Sequence, residues 1–178
     1  MGSFLTALIA LAGIYVVNFV AEDYRRFRDG SSLAAGLAGE LSSYLEAYAT
    51  LSPLLEDLSR RHKNGERMLM LDMGVPPDPF YESNVGKLGL LGPEFAENTA
   101  FVYQNLKAFR SLFSLTCRKH LEMETGHIAI ALDSCNAALG RAHTRGVTLV
   151  ANLKARAIDE YPVPYPWRWF REPRPTSS

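Results

Sequence analysis

The chain has 178 residues with 19 basic and 19 acidic side chains, and its net charge of zero removes the basic excess by which nucleic-acid binders attract phosphate. A hydrophobic share of 47% is that of a chain with a core to bury, which excludes a disordered stalk. Two cysteines, Cys117 and Cys135, are too few for a disulfide-stapled scaffold and fit a reducing compartment.

Residues 4–20 read FLTALIALAGIYVVNFV, without a charge and with Thr6 and Asn18 as the clearly polar members. Such a run satisfies its backbone by being helical in apolar surroundings, and it reads as a single membrane anchor. At roughly 1.5 Å per residue it rises about 26 Å. Ala21, Tyr24 and the stems of Arg25 and Arg26 complete the crossing by snorkelling. A cleaved signal peptide fits poorly, because Met1-Gly2-Ser3 carries no basic side chain and Ala10-Leu11-Ala12 leaves too little apolar sequence ahead of it. A buried helix fits poorly as well, since a terminal helix that is apolar on every face is hard to cover in a chain this short. Gly2 and Thr6 match an acylation pattern too short to carry weight. Thr6, Ala10 and Gly13 make a small-residue face suited to pairing two anchors into a homo-oligomer. Arg25, Arg26 and Arg28 follow the run, so the positive-inside rule puts the rest of a single-pass protein of the inner membrane in the cytoplasm.

The chain divides into an anchor with its juxtamembrane segment (residues 1–28), a helical domain (29–160) and a tail (161–178). Ser31 or Ser32 is placed to cap a new helix after Gly30, and Leu33, Leu37, Leu41, Tyr44, Tyr48, Leu51, Leu55 and Leu58 then recur at steps of three and four. Pro53 predicts a bend, and Asn64-Gly65 an end, with Arg60, Arg61 and Lys63 at the negative pole of the helix dipole.

Periodicity fails from Glu66 to Gly92, where Pro76, Pro77 and Pro79 exclude a long helix and Phe80-Tyr81-Glu82 allows one turn. A connection of this length is usually functional or packed as a lid. Gly92-Pro93-Glu94 opens the next helix, striped by Phe95, Thr99, Val102, Leu106, Phe109, Phe113, Thr116 and His120. Thr125-Gly126 permits a reversal, and a last stripe runs Ile128, Leu132, Cys135, Leu139, Ala142, Gly146, Leu149 and Leu153.

The run Pro79-Phe80-Tyr81-Glu82-Ser83-Asn84 and the run Lys87-Leu88-Gly89-Leu90-Leu91-Gly92-Pro93-Glu94-Phe95 precede a helix bearing Phe101, Tyr103 and Phe109. Over residues 75–115 this resembles a segment of uncharacterised single-span bacterial membrane proteins with a cytoplasmic helical domain. The resemblance implies a location and a helical architecture, and no activity.

The tail begins Tyr161-Pro162-Val163-Pro164-Tyr165-Pro166, which favours extended polyproline geometry, and continues with Trp167-Arg168-Trp169-Phe170-Arg171. Large aromatics there need a surface: the bundle's own groove, the membrane interface or a partner.

Chemistry has few candidates. Cys117, His120 and Cys135 can ligate zinc, but a structural site needs four ligands, and the same atoms as a nucleophile pair lack an orienting carboxylate. His127 and His143 read as surface or interface histidines. Glu122 and Glu124 have no second acid to pair with. Glycines 86, 89 and 92 form no phosphate cradle, since no Lys-Ser/Thr follows them. No cofactor and no metal is expected.

The predicted fold is all-α: an N-terminal transmembrane helix, then an antiparallel three-helix bundle with a long irregular connection. In up-down order the first bundle helix leaves the membrane, the second returns and the third leaves again. That order puts the turn at Glu122–Gly126 near the bilayer and the tail far from it. The expected function is a membrane-anchored, non-enzymatic interaction or adaptor protein with an unidentified protein partner. Its binding segments are residues 66–92 and the tail, with Phe80, Tyr81, Trp167, Arg168, Trp169 and Phe170 as candidate contacts. The alternative is a membrane-active effector or small-ligand sensor whose bundle or anchor reorganises, and an enzyme using Cys117 and His120 stands third.

Overall fold

A computed structural model describes residues 2–72, 74 and 78–162, with the side chains of residues 2–10 and 12 excepted. The described residues form helices and no strand: α1 (Gly2–Lys63), α2 (Pro79–Asn84), a 3-10 segment (Val85–Leu91), α3 (Pro93–Lys119) and α4 (Thr125–Ile158). The all-α prediction is met. Among the described residues no helix is long and apolar enough to cross a membrane, and much of the 4–20 run falls on residues whose side chains lie outside the description.

The break expected at Gly30 is absent. α1 is one helix of 62 residues that runs from the apolar stretch into the bundle, and the Ser31 hydroxyl donates back to the Phe27 carbonyl at 3.1 Å instead of capping a new start. Gly30 serves close packing, because a Cβ there would lie 3.0 Å from the Leu90 carbonyl oxygen of the 3-10 segment. Pro53 stays inside the helix on its exposed face.

The stripes are the core. All eight predicted positions of α4 are buried, and in α3 Thr99, Val102, Leu106, Phe109, Thr116 and His120 are buried, with Phe95 and Phe113 packed at the margin. In α1 the stripe drifts. Leu33, Leu37, Leu41 and Leu55 are buried as expected, whereas Tyr44, Tyr48, Leu51 and Leu58 are half-buried and Ser52, Ser59 and His62 take the inner face. A straight helix of 3.6 residues per turn slips against a 3.5-residue repeat by about 20° per heptad, so a long stripe rotates off its partner.

α4 lies in the seam, packed along both α1 and α3, whose Cα atoms nowhere come within 8 Å of each other. It is antiparallel to both. Ser59 meets Asp133 near the end of α1 and Ser31 meets Arg156 at its middle, while Asn105 of α3 meets Arg141 and Phe109 meets Cys135. α3 therefore runs parallel to α1, which corrects the predicted up-down order. The long connection is the cause. Arg67 is bound at the far end of the bundle, and from there the chain travels back until Leu90 rests on Gly30. A short link forces neighbouring helices antiparallel, whereas a link of this length can retrace the bundle, and burial of Met70, Leu88 and Leu91 holds it there. The turn at 120–124 thus lies at the end of the bundle away from the start of α1, and Tyr161, just past α4, returns to Tyr24 and Phe27, the reverse of the order predicted along α1.

Candidate functional site

A cluster of polar and aromatic side chains forms where α2 docks beside α1 and α3. Gly36 leaves a bare patch of α1 that the Phe80 ring covers; a Cβ at Gly36 would lie 1.9 Å from the Phe80 Cζ. One turn later, Glu40 accepts hydrogen bonds from the backbone N–H of Phe80 (3.0 Å) and of Tyr81 (3.2 Å) and from the Tyr103 hydroxyl (2.6 Å). The first amides of a helix have no partner within it, so this carboxylate completes α2. Tyr81 stacks on Tyr103 with centroids 3.8 Å apart and planes 8° off parallel. Burial, reinforced by Glu40, pushes the Tyr103 phenol far above its usual range, so it stays a proton donor.

Asp78, just ahead of α2, forms a two-pronged ion pair with Arg110 of α3 at 2.5 and 2.8 Å, with the side chains only 9% and 14% exposed. The Arg110 guanidinium stands 4.8 Å from the Tyr44 ring centroid. Burial first, then the neighbouring Asp78 carboxylate, push the Tyr44 phenol up to about 12. Carboxylates, guanidinium and phenols here answer one another and the backbone of α2. The arrangement clamps the connection to the bundle and holds its protons in place.

The cysteines and histidines lie elsewhere. At the distal end the His120 Nδ1 lies 2.6 Å from the Cys117 carbonyl oxygen, and its Nε2 accepts from the Met70 N–H at 3.5 Å, so both ring nitrogens are engaged by the backbone. Cys117 and Cys135 are both buried free thiols. Burial raises both, Cys135 to about 12, so neither offers a thiolate at neutral pH. Among the described residues no three His, Cys, Asp or Glu side chains gather in a metal-binding group. Arg67 ties the connection to this end, donating to the carbonyls of His120, Leu121 and Met123 at 2.8–3.2 Å and so holding the turn that follows α3. His62 is sealed beside them at 1% exposure with both ring nitrogens unpartnered, and desolvation lowers its pKa below 6.5. His127 is exposed, and His143 is half-buried and stacked on Tyr48 at 4.0 Å.

The described residues also form open concavities. A groove of about 690 Å³ separates the first half of α3 from α4, lined by Phe95, Asn98, Phe101, Arg141, Arg145 and Leu149, with Arg145 over the Phe101 ring at 4.0 Å. A shallower one of about 540 Å³ lies between Tyr24, Phe27 and Ser31 of α1 and the end of α4. There the Tyr161 hydroxyl donates to Asp23 at 2.7 Å.

Of the predicted contacts, Phe80 and Tyr81 are brought together but turned inward, against Gly36 and Tyr103. Trp167, Arg168, Trp169 and Phe170 lie outside the described residues. Glu40, Asp78 and Arg110 went unnoticed in the sequence. The signals were a lone acid inside the apolar stripe 33–41, an Asp set among prolines and an Arg inside an aromatic stripe.

No known family model matches the chain, and no curated protein or solved structure is a significant match to it.

Proposed function

We propose that this chain is a membrane-anchored, non-enzymatic helical interaction module: residues 4–20 sit in the bilayer, and the bundle stands on the cytoplasmic side as a rigid platform for a protein partner. The observation that carries the reading is the continuity of α1 with its exposed apolar start. Leu11, Ile14, Tyr15, Val17 and Phe19 are 60–75% exposed, a surface too apolar to leave in water. Arg25, Arg26 and Arg28 at its end support the cytoplasmic side, and the mutual satisfaction of Glu40, Asp78, Arg110 and Tyr103 supports a structural use of the polar interior.

Flotation of the full chain with vesicles after an alkaline wash tests the anchor; recovery in the wash rejects it. Protease digestion of intact inner-membrane vesicles of the two orientations tests the side. Crosslinking in cells, with and without residues 4–20, tests the partner: a partner that depends on the anchor supports the reading, and no crosslinked species removes it.

A second reading, a small-ligand sensor, draws on the α3–α4 groove, whose size is in the range of ligand sites. Thermal stabilisation by a metabolite, lost in Arg145→Ala, would favour it.

A further inference from the structure

The α3–α4 groove exists because one face of α4 is trimmed. Gly140, Thr144 and Thr148 recur at steps of four, and between them and the half-buried Phe95 and Phe101 rings the two helices leave about 690 Å³. Its two ends differ in chemistry. Asn105 pairs with Arg141 and Phe101 with Arg145, so along antiparallel helices Glu94 and Asn152 share the opposite end.

Arg141 and Arg145 stand one turn apart on α4, and each guanidinium is held in place. Arg141 donates through Nε to the Asn105 side-chain oxygen at 2.9 Å, and Arg145 lies over the Phe101 ring at 4.0 Å. A guanidinium carries five N–H donors, and these contacts use few of them. Among the described residues Arg141 has no carboxylate partner. The one beside Arg145, Glu97, is 3.8 Å away on a side chain 77% exposed, a contact that water screens. Glu94 lies about 10 Å along the axis from the level of Arg145 and disfavours a second acid at that end. The positive end therefore suits one anionic group, which planar guanidinium forks bind in pairs of hydrogen bonds, and the rings with the buried Leu149 suit a flat apolar body.

We propose that the groove binds a small aromatic monocarboxylate, its acid group on Arg141 and Arg145 and its ring against Phe95, Phe101 and Leu149. This rests on the reading of the chain as a small-ligand sensor and names the class of ligand.

The test uses the full chain in lipid nanodiscs, with empty nanodiscs as the blank, and follows fluorine NMR line broadening of a fluoro-2-naphthoate and of its neutral alcohol analogue. The expected result for the carboxylate is saturable broadening with a Kd on the order of 0.1–1 mM. The alcohol is expected to bind about ten-fold more weakly, and Arg141→Gln/Arg145→Gln to cost the carboxylate about ten-fold or more. Thr148→Trp, at an exposed position of the groove wall, is expected to abolish binding with helical content and melting unchanged. Equal binding of alcohol and carboxylate, both lost in Thr148→Trp, overturns the proposed ligand class and leaves the sensor reading standing. Carboxylate binding that persists in Thr148→Trp lies elsewhere and overturns the site. Absence of saturable broadening with the carboxylate overturns the proposal, whereas the sensor reading falls only if the metabolite stabilisation sought above is missing as well.

Discussion

The Phe80 ring occupies the space that a side chain at Gly36 would need, so that a Cβ built there meets the ring edge at 1.9–2.4 Å. This pair fixes where the connection crosses α1, and with it the start of α3. Gly36→Ala is expected to destabilise the protein by about 2–3 kcal/mol through overpacking, and Phe80→Ala by roughly 3 kcal/mol through lost burial. The double variant is expected to cost clearly less than their sum, because removing the ring makes room for the methyl. Denaturant unfolding of the full chain in detergent measures the cycle; additive costs would mean that the two residues do not meet.

The Asp78–Arg110 pair is buried and two-pronged. Arg110→Met leaves a carboxylate in the interior without its partner and is expected to cost about 3–5 kcal/mol. Arg110→Met combined with Asp78→Leu is expected to recover most of that loss. The same denaturation midpoints check it.

Glu40 holds the first amides of α2. Glu40→Gln keeps the shape but presents an amide nitrogen to one of three donors, so about 1–3 kcal/mol is expected to be lost locally. Hydrogen exchange at the Phe80 and Tyr81 amides should accelerate by about ten-fold or more, with the α4 core amides unchanged.

His62 carries a pH dependence whose sign follows from its surroundings. Desolvation lowers its pKa from 6.5 in the folded chain, with the positive charge of Arg67 and the nearby His120 adding to the effect. Below about pH 6.5 the unfolded chain binds the proton and the folded chain does not. Stability is therefore full above that value and lost as pH falls toward the folded pKa, at up to about 1.4 kcal/mol per pH unit. His62→Leu is expected to flatten this slope between pH 7 and 5, read from denaturant midpoints at each pH.

The two thiols are held protonated by burial. Ellman's reagent at pH 8 is expected to leave both Cys117 and Cys135 unmodified in the folded chain for hours and to titrate both in denaturant. Rapid labelling of the native chain would mean that the distal end opens easily.

Several of these residues could be anticipated and several could not. Ile128, Leu132, Cys135, Leu139, Ala142, Gly146, Leu149 and Leu153 were readable as one buried face, because helical periodicity is a property of a single segment. The pairs Gly36–Phe80, Glu40–Tyr103 and Asp78–Arg110 join segments 32 to 63 positions apart, and no local spacing encodes them. Gly30 read as a break because glycine weakens a helix by about 1 kcal/mol, which is small beside the packing of Leu90 against it.

The sequence by itself determined that the chain is helical and which faces of α3 and α4 are buried; the reversal expected at Thr125-Gly126 falls just ahead of it, at residues 120–124, and Thr125 opens α4. Only the tertiary structure decided that α3 runs with α1 and that Tyr161 comes home to Asp23. Apolar stripes say which surfaces must meet. Direction is chosen by where the residues of the connection bury their own side chains, a free-energy difference between whole arrangements that no single segment contains.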